Sequence, residues 1–277
     1  MQMDSSLIRM TDQEFATLSG YIKEQYGIDL TKKRVLIEGR LTHELQKRGF
    51  SSFQEYMDAV FGDKTGTEVT LLLNRLTTNL SFFMRENEHF RYLRDEALPF
   101  LARARGRTRD LRIWSAGCST GQEPYNIAMV IDEYFGGQKS GWDTTILATD
   151  ISMKALSAAQ QGIYTDADLK DVSPGWRTKY FRPLGEGRFQ VADTIRKEVI
   201  FRPFNLMDPF AFRRPFDLIF CRNVMIYFDA GTKAKLVRKF YDHTQDGGFL
   251  FIGHSESISS QQSPYTYIQP AIYQRRG

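Results

Sequence analysis

The run Arg112-Ile113-Trp114-Ser115-Ala116-Gly117-Cys118-Ser119-Thr120-Gly121-Gln122-Glu123-Pro124 takes an apolar, strand-like stretch into a turn of small residues. A helix then begins with a carboxylate in its first turn. In open α/β sheets, ligands bind outside the carboxyl ends of the strands, beside a turn of this kind. A dinucleotide site needs Gly-x-Gly-x-x-Gly there, so that backbone can approach a pyrophosphate at the helix N-terminus. Here Gly117 and Gly121 enclose the bulkier Cys118 and Ser119, and Glu123 would repel a pyrophosphate. The same carboxylate attracts an ammonium group or accepts from ribose hydroxyls. Asp150, closing Thr145-Ile146-Leu147-Ala148-Thr149, adds a second acid where such folds hold a ribose, although aspartate is also a common helix cap. Asn205-Leu206 and Arg222-Asn223 end two further apolar runs, and Tyr227 follows closely. A lone asparagine at a strand end is ordinarily a loop residue, but consecutive strand tips with ligand-capable groups point to one binding crevice. S-adenosylmethionine fits it, being a phosphate-free nucleoside with a cationic amine and sulfonium. NAD does not.

The elements that must position these residues follow from periodicity. Residues 1–80 carry helical spacing throughout. Thr11-Asp12-Gln13-Glu14 resembles a capping box, followed by Phe15, Leu18, Tyr21, Ile22 and Tyr26, and Gly27 stops the helix. A second helix over Lys32–Arg48 turns Val35, Leu36, Leu41 and Leu45 inward, and residues 51–60 and 68–76 supply two more. Beyond a linker at 81–110 the pattern changes. Strands are expected near 111–116, 145–149, 199–204, 216–221 and 248–253, with helices near 122–135, 152–161 and 230–244, which means a parallel sheet covered on both faces. Tyr265–Ile268 and Ala271–Gln274 read as a closing antiparallel hairpin. A small β insertion is expected at about 176–197, its hairpin turning at Gly185-Glu186-Gly187.

The 277 residues, 42% hydrophobic and 25% charged, suffice for one large domain or two modest ones. No apolar run approaches the roughly 18 residues of a membrane span, and the N-terminus lacks a signal-peptide pattern. Two cysteines and four histidines outline neither a disulfide framework nor a zinc site, so a cytoplasmic, reduced, metal-free protein is expected. A net charge of +4 permits an acidic partner without demanding nucleic acid, and the arginines at 103, 105, 107, 109 and 112 lack the interleaved aromatics of a nucleic-acid surface.

Several segments together resemble the chemotaxis receptor methyltransferases, the CheR family: TTNLSFFMRENEHF (77–90), WSAGCSTGQEPYNIAM (114–129), ATDIS (148–152), FCRNVMIYFD (220–229) and GHSES (253–257). The resemblance implies an all-α N-terminal domain and a Rossmann-like AdoMet-dependent methyltransferase domain, 111–277, carrying a small antiparallel β-subdomain. It implies methyl transfer from S-adenosylmethionine to glutamate side chains on the cytoplasmic helices of chemoreceptors, leaving S-adenosylhomocysteine. Carried over position by position, the cofactor contacts are Asn79, Ser81, Arg85, Glu123, Asp150, Asn205, Leu206, Arg222 and Asn223. Serine at 81 keeps the hydroxyl of the threonine often found there. Arg85 and Tyr227 match the pair placed near the transferred methyl. In some members the β insertion binds a receptor C-terminal tail by strand addition; the turn PLGEGRFQ is shorter, so tail-independent recognition is expected.

The chemistry implied needs no general base, because glutamate with a pKa of about 4.3 is already ionised. The enzyme must align and desolvate a carboxylate and a sulfonium, with Arg85 holding the carboxylate and Tyr227 donating a positioning hydrogen bond. Lys32, Lys33, Arg34, Arg40, His43, Lys47 and Arg48 on the second helix offer either a solvated face or a docking surface for an acidic receptor helix. Rival readings fare less well. Cys221-Arg222-Asn223-Val224 is not the Asn/Asp-Pro-Pro-aromatic motif of amino-methylating nucleic-acid enzymes, and Gly253-His254-Ser255-Glu256-Ser257 lacks the last glycine of a nucleophile elbow. A non-catalytic S-adenosylmethionine sensor would keep Glu123 and Asp150 yet need neither Arg85 nor Tyr227.

Overall fold

A computed structural model describes residues 8–76, 80–259 and 263–276. The chain divides into two compact units, one of the N-terminal helices with the short segment Tyr227–Asp229, the other of Leu80–Ile226 and the residues from Ala230 onward. The helical unit contains α1 (Asp12–Tyr26), α2 (Arg34–Arg48), α3 (Phe53–Gly62) and α4 (Thr67–Leu76). The capping box is present: the Thr11 side chain accepts from Glu14 N–H and Glu14 reaches back to Thr11, while Gly27 closes α1 at φ 72°. The inward face of α2 is Ile37, Leu41, Glu44 and Leu45. Val35 and Leu36, expected inside, are 85% and 50% exposed. The helix starts at Arg34 rather than Lys32, so both fall on its first turn, where 3.6-residue spacing back from Leu41 passes over Ile37 and leaves them outside. Within this unit Asp29 N–H donates to the Tyr227 carbonyl at 2.8 Å, Lys23 pairs with Asp229 at 2.8 Å, and the Lys33 ammonium lies 4.9 Å from the Tyr227 ring centre.

The second unit begins with α5 (Glu88–Tyr92), a π turn at Leu93–Ala97 and α6 (Leu98–Ala104). This stretch was expected to be a linker. Its apolar residues instead recur every three to four positions, and Phe83, Phe90, Leu93, Leu98 and Leu101 are at most 2% exposed in one core with the helix that follows the first strand. Then come β1 (Ile113–Ala116), α7 (Gln122–Phe135), β2 (Ile146–Asp150), α8 (Met153–Gln161), β3 (Ile163–Thr165), α9 (Pro174–Tyr180), β4 (Phe181–Gly185), β5 (Arg188–Val191), α10 (Asp193–Arg196), β6 (Val199–Pro203), β7 (Phe216–Cys221), α11 (Ala230–Asp242), β8 (Thr244–Ile252), β9 (Thr266–Gln269) and β10 (Ile272–Gln274).

The main sheet runs β6-β2-β1-β7-β8-β10-β9, parallel from β6 to β8 and antiparallel in its last two strands. Alternation along β1 divides the cores: Ile113 packs with α5–α7, whereas Trp114 faces Phe204, Phe210, Phe212, Phe216 and Phe240 of α11. Phe220 and its register partner Phe251 stack at 4.3 Å. The insertion forms a separate antiparallel sheet, β3-β5-β4, so the expected hairpin gains a strand preceding the expected boundary. Three residues are too short for periodicity to reveal β3. Glu186 and Gly187 close the hairpin with φ of 52° and 66°, the type I′ geometry that matches strand twist.

If residues 88–104 are core rather than connector, Leu98→Ala should cost about 2–5 kcal/mol of unfolding free energy, read as a lower urea midpoint. A loss under about 0.5 kcal/mol, typical of surface sites, would return the segment to the status of a linker.

Candidate functional site

Strands β2, β1 and β7 end side by side, and Glu123, Asp150, Arg222 and Asn223 of the sequence-marked residues lie along that edge. After β1 the backbone turns through Gly117 and Gly121, at φ 87° and 94°. Both positions need glycine for space as well as conformation: a Cβ on Gly117 would lie 2.4 Å from Val224 Cγ2, and one on Gly121 2.8 Å from the Ala159 Cβ. Between them Ser119, itself left-handed at φ 50°, donates its N–H to Asp150 Oδ2 at 2.8 Å, and Ser152 N–H donates to Oδ1 at 2.8 Å. Burial pushes the Asp150 carboxyl up, with these backbone donors opposing it. Among the described residues the Ser119 hydroxyl is buried without a partner.

Glu123, on the first turn of α7, accepts from Ser115 Oγ at 2.7 Å and from Arg222 Nη1 at 3.2 Å. Its side chain is only 14% exposed, and burial raises its pKa despite the guanidinium beside it. Arg222 stands at the tip of β7 with its side chain 2% exposed. Besides Glu123 it reaches Glu86 Oε2 at 3.1 Å and the Arg85 carbonyl, and it lies 5.3 Å from the Phe90 ring centre. Glu86 also accepts from Asn223 Nδ2 at 3.1 Å and from His254 N–H. Burial works against its charge, but Arg222 and these donors outweigh it and hold the Glu86 carboxyl below its usual range.

The sequence reading missed Glu86, and it also missed Glu256. Burial raises the Glu256 carboxyl, which accepts from the backbone N–H groups of Asn223 at 2.9 Å, Ile226 at 3.0 Å and Gly253 at 2.5 Å. It thereby fixes the loop after β7 against the turn after β8. A Cβ on Gly253 would fall 2.4 Å from Asn223 Nδ2, which accounts for the glycine of GHSES. The only signal for either acid was its place inside a quoted motif.

The remaining marked residues are distributed as follows. Asn205 caps its own loop, its Oδ1 accepting Met207 N–H at 3.0 Å, and Lys239 of α11 pins the neighbouring Leu206 carbonyl at 3.1 Å. Arg85 donates to the Leu80 carbonyl at 2.7 Å and lies over Phe82 at 5.7 Å. Ser81 is half-buried on the same segment. Asn79 lies outside the described residues. Tyr227 is grouped with the helical unit rather than with the β7 tip.

The edge thus carries two largely buried carboxylates, Asp150 and Glu123, around a glycine turn that holds an unpartnered hydroxyl. Cys118 between the acids is buried, and its thiol pKa is raised first by that burial and then by both carboxylates. This suits a nucleoside ligand with hydroxyls and a positive charge. A pyrophosphate would meet carboxylates where it requires donors.

Comparison with known proteins agrees. Residues 13–77 match the family described as CheR methyltransferase, all-alpha domain, and residues 79–273 match CheR methyltransferase, SAM binding domain. The chain is 39% identical over 272 residues to the chemotaxis protein methyltransferase of Borreliella burgdorferi, covering 97% of this chain and 96% of that one. It is 36% identical over 278 residues to the Escherichia coli protein of the same name, covering 99% and 94%. With chemotaxis protein methyltransferase 1 of Pseudomonas aeruginosa it shares 36% identity over 270 residues, covering 95% and 97%. No described helix is long and apolar enough to cross a membrane. An α-helical domain, a mostly parallel sheet with an acid-lined turn suited to S-adenosylmethionine, and near full-length likeness to these enzymes converge: the chain belongs to the CheR family of S-adenosylmethionine-dependent chemotaxis methyltransferases.

Proposed function

We propose that the enzyme esterifies glutamate side chains of chemoreceptors, the methyl-accepting chemotaxis proteins, in the cytoplasm. The observation that carries this reading is the division of charge at the sheet edge: acids on the first turn of α7 and at the β2 tip, and Arg85 on the neighbouring segment after Leu80. S-adenosylmethionine supplies an electrophilic methyl on a positively charged sulfur. Asp150 and Glu123 would hold its ribose and amine, with Ser81, Asn79, Asn205, Leu206, Arg222 and Asn223 completing the contacts. A glutamate carboxylate then attacks the methyl carbon as the carbon–sulfur bond breaks, and S-adenosylhomocysteine leaves uncharged at sulfur. No proton moves, so the protein's task is alignment and exclusion of water. Arg85 spends one donor on Leu80, and the rest of its fork is suited to a carboxylate. Tyr227 would add a hydroxyl donor.

Most of the cations on α2 are engaged within the chain itself. Arg34 is bonded to Asp12 and the Met10 carbonyl, Arg40 to the Arg75 carbonyl, and Arg48 to both oxygens of Glu68 at 2.7 Å. Lys33 lies over Tyr227. The residues left outermost are Lys32, His43 and Lys47, together with Val35 and Leu36. A cationic patch with two exposed aliphatic side chains suits an acidic amphipathic helix. The two-residue β4–β5 turn supports recognition without a receptor tail.

With tritiated S-adenosylmethionine and receptor membranes, the label incorporated should be base-labile, as a methyl ester must be; base-stable label would refute glutamate as the acceptor. Arg85→Ala should lower turnover about 30- to 150-fold, the loss of a charge-assisted contact worth roughly 2–3 kcal/mol, with Arg85→Lys recovering part of it. Turnover near wild type in Arg85→Ala would remove that role. Methylation should also slow with ionic strength and in Lys32→Glu/Lys47→Glu, whereas a salt-independent rate would move docking off this helix.

A further inference from the structure

Beside Arg222 lies a side-chain group whose two histidines methyl transfer leaves unused. Glu86, His89 and His254 each bring one ligand-type atom, and these atoms lie within 4.8 Å of one another. His89 is fully buried, and among the described residues neither of its ring nitrogens forms a hydrogen bond. Its Nδ1 stands 3.5 Å from Glu86 Oε2, and its ring meets that of His254 edge-on at 4.6 Å. A polar ring buried in this way has lost hydration and gained no partner. His254, by contrast, is exposed in the turn after β8, which gives the group an entrance from solvent. His243 shows the ordinary alternative: its nitrogens lie 2.9 and 3.0 Å from the carbonyls of Lys239 and Phe210.

We propose that Glu86, His89 and His254 bind a divalent transition-metal ion of the zinc type, and that its binding weakens S-adenosylmethionine binding by drawing Glu86 away from Arg222 and Asn223. Two imidazoles and a carboxylate, with one position left for water, are a donor set that zinc accepts. Zinc bonds of about 2.0–2.1 Å place tetrahedral ligand atoms roughly 3.3 Å apart, so the group must contract. His254 supplies that movement from its exposed turn. Arg222 is the opposing cation, 3.1 Å from Glu86, so the ion and the guanidinium compete for one carboxylate. The effect on the methyl donor rests on the proposed role of Arg222 and Asn223; the binding of metal does not.

The test is calorimetric titration of zinc chloride into the metal-free full-length chain, repeated with His254→Ala and His89→Gln. Cobalt(II) serves as a second probe through its visible absorption. One zinc per wild-type chain is expected, with affinity at least about tenfold weaker in both variants and loss of the cobalt spectrum. His254→Ala is the decisive variant, because its side chain is exposed and its removal leaves the core intact. Zinc should weaken S-adenosylmethionine binding to the wild type and leave the His254→Ala protein unaffected. Equal zinc affinity in His254→Ala and wild type, or no stoichiometric binding, overturns the site; bound zinc without effect on donor affinity overturns the coupling. S-adenosylmethionine binding by the metal-free wild type is measured separately, so failure of the donor reading is distinguishable from failure of the metal site.

Discussion

A guanidinium taken out of water needs anions and acceptors on every side it presents, since an uncompensated buried charge costs several kcal/mol. Arg222 imposes that requirement on the whole sheet edge. Its partners come from three places in the sequence: Glu86 and the Arg85 carbonyl from the segment before α5, Glu123 from α7, and Phe90 beneath. Pairing the two terminal nitrogens of one side chain therefore fixes the segment that carries Arg85 relative to the turn that carries Glu123. Charge remains after the pairing. One guanidinium faces two carboxylates, and Asp150 adds a third acid nearby. The two partners respond differently: Glu86, with three kinds of donor, keeps its charge readily, whereas Glu123 is raised by burial. A cationic ligand is the natural complement to that residue of negative charge.

The same edge concentrates backbone conformations that side chains disfavour. Met84, Glu86, Ser119 and Asn223 all have φ between 50° and 62°, each costing of order 1 kcal/mol or more. Such conformations persist only where surrounding bonds over-determine them. At Asn223 the backbone N–H is held by Glu256 and the side chain by Glu86, while Gly253 leaves the space the amide occupies. At Ser119 the N–H is held by Asp150. The carboxylates of this site thus serve the loops first, and a ligand would bind to groups already oriented.

Much of this was legible in the sequence because it depends on local signals. The Thr11 capping box, the β1 turn with its aberrant glycines and the acid ending β2 are each determined by neighbours within a few positions. What escaped depends on partners far along the chain. Val35 and Leu36 are apolar, yet the start of α2 set by Arg34 turns them outward. Residues 88–104 looked like a connector because the core they enter is built by α7 and the sheet. Glu86 and Glu256 gave no signal beyond their motifs, since a carboxylate that bonds a guanidinium or two distant amides looks like any surface acid. His89 looked isolated for the same reason.

That pattern follows from the chemistry proposed. Motif reasoning finds groups that move protons or donate electrons, and a displacement by an ionised carboxylate at a methyl carbon needs no proton transfer from the protein. What it demands is placement, and placement is carried by residues such as Glu86, Glu256, Gly117 and Gly253 that never need to touch a reacting atom. Arg85 illustrates the consequence. Its side chain carries the charge that would attract a substrate carboxylate, but where that charge stands is decided by the Leu80 carbonyl that binds its fork and by Arg222, which holds its backbone. A substitution at the buried arginine therefore displaces the half-buried Arg85, and the two cannot be expected to act additively.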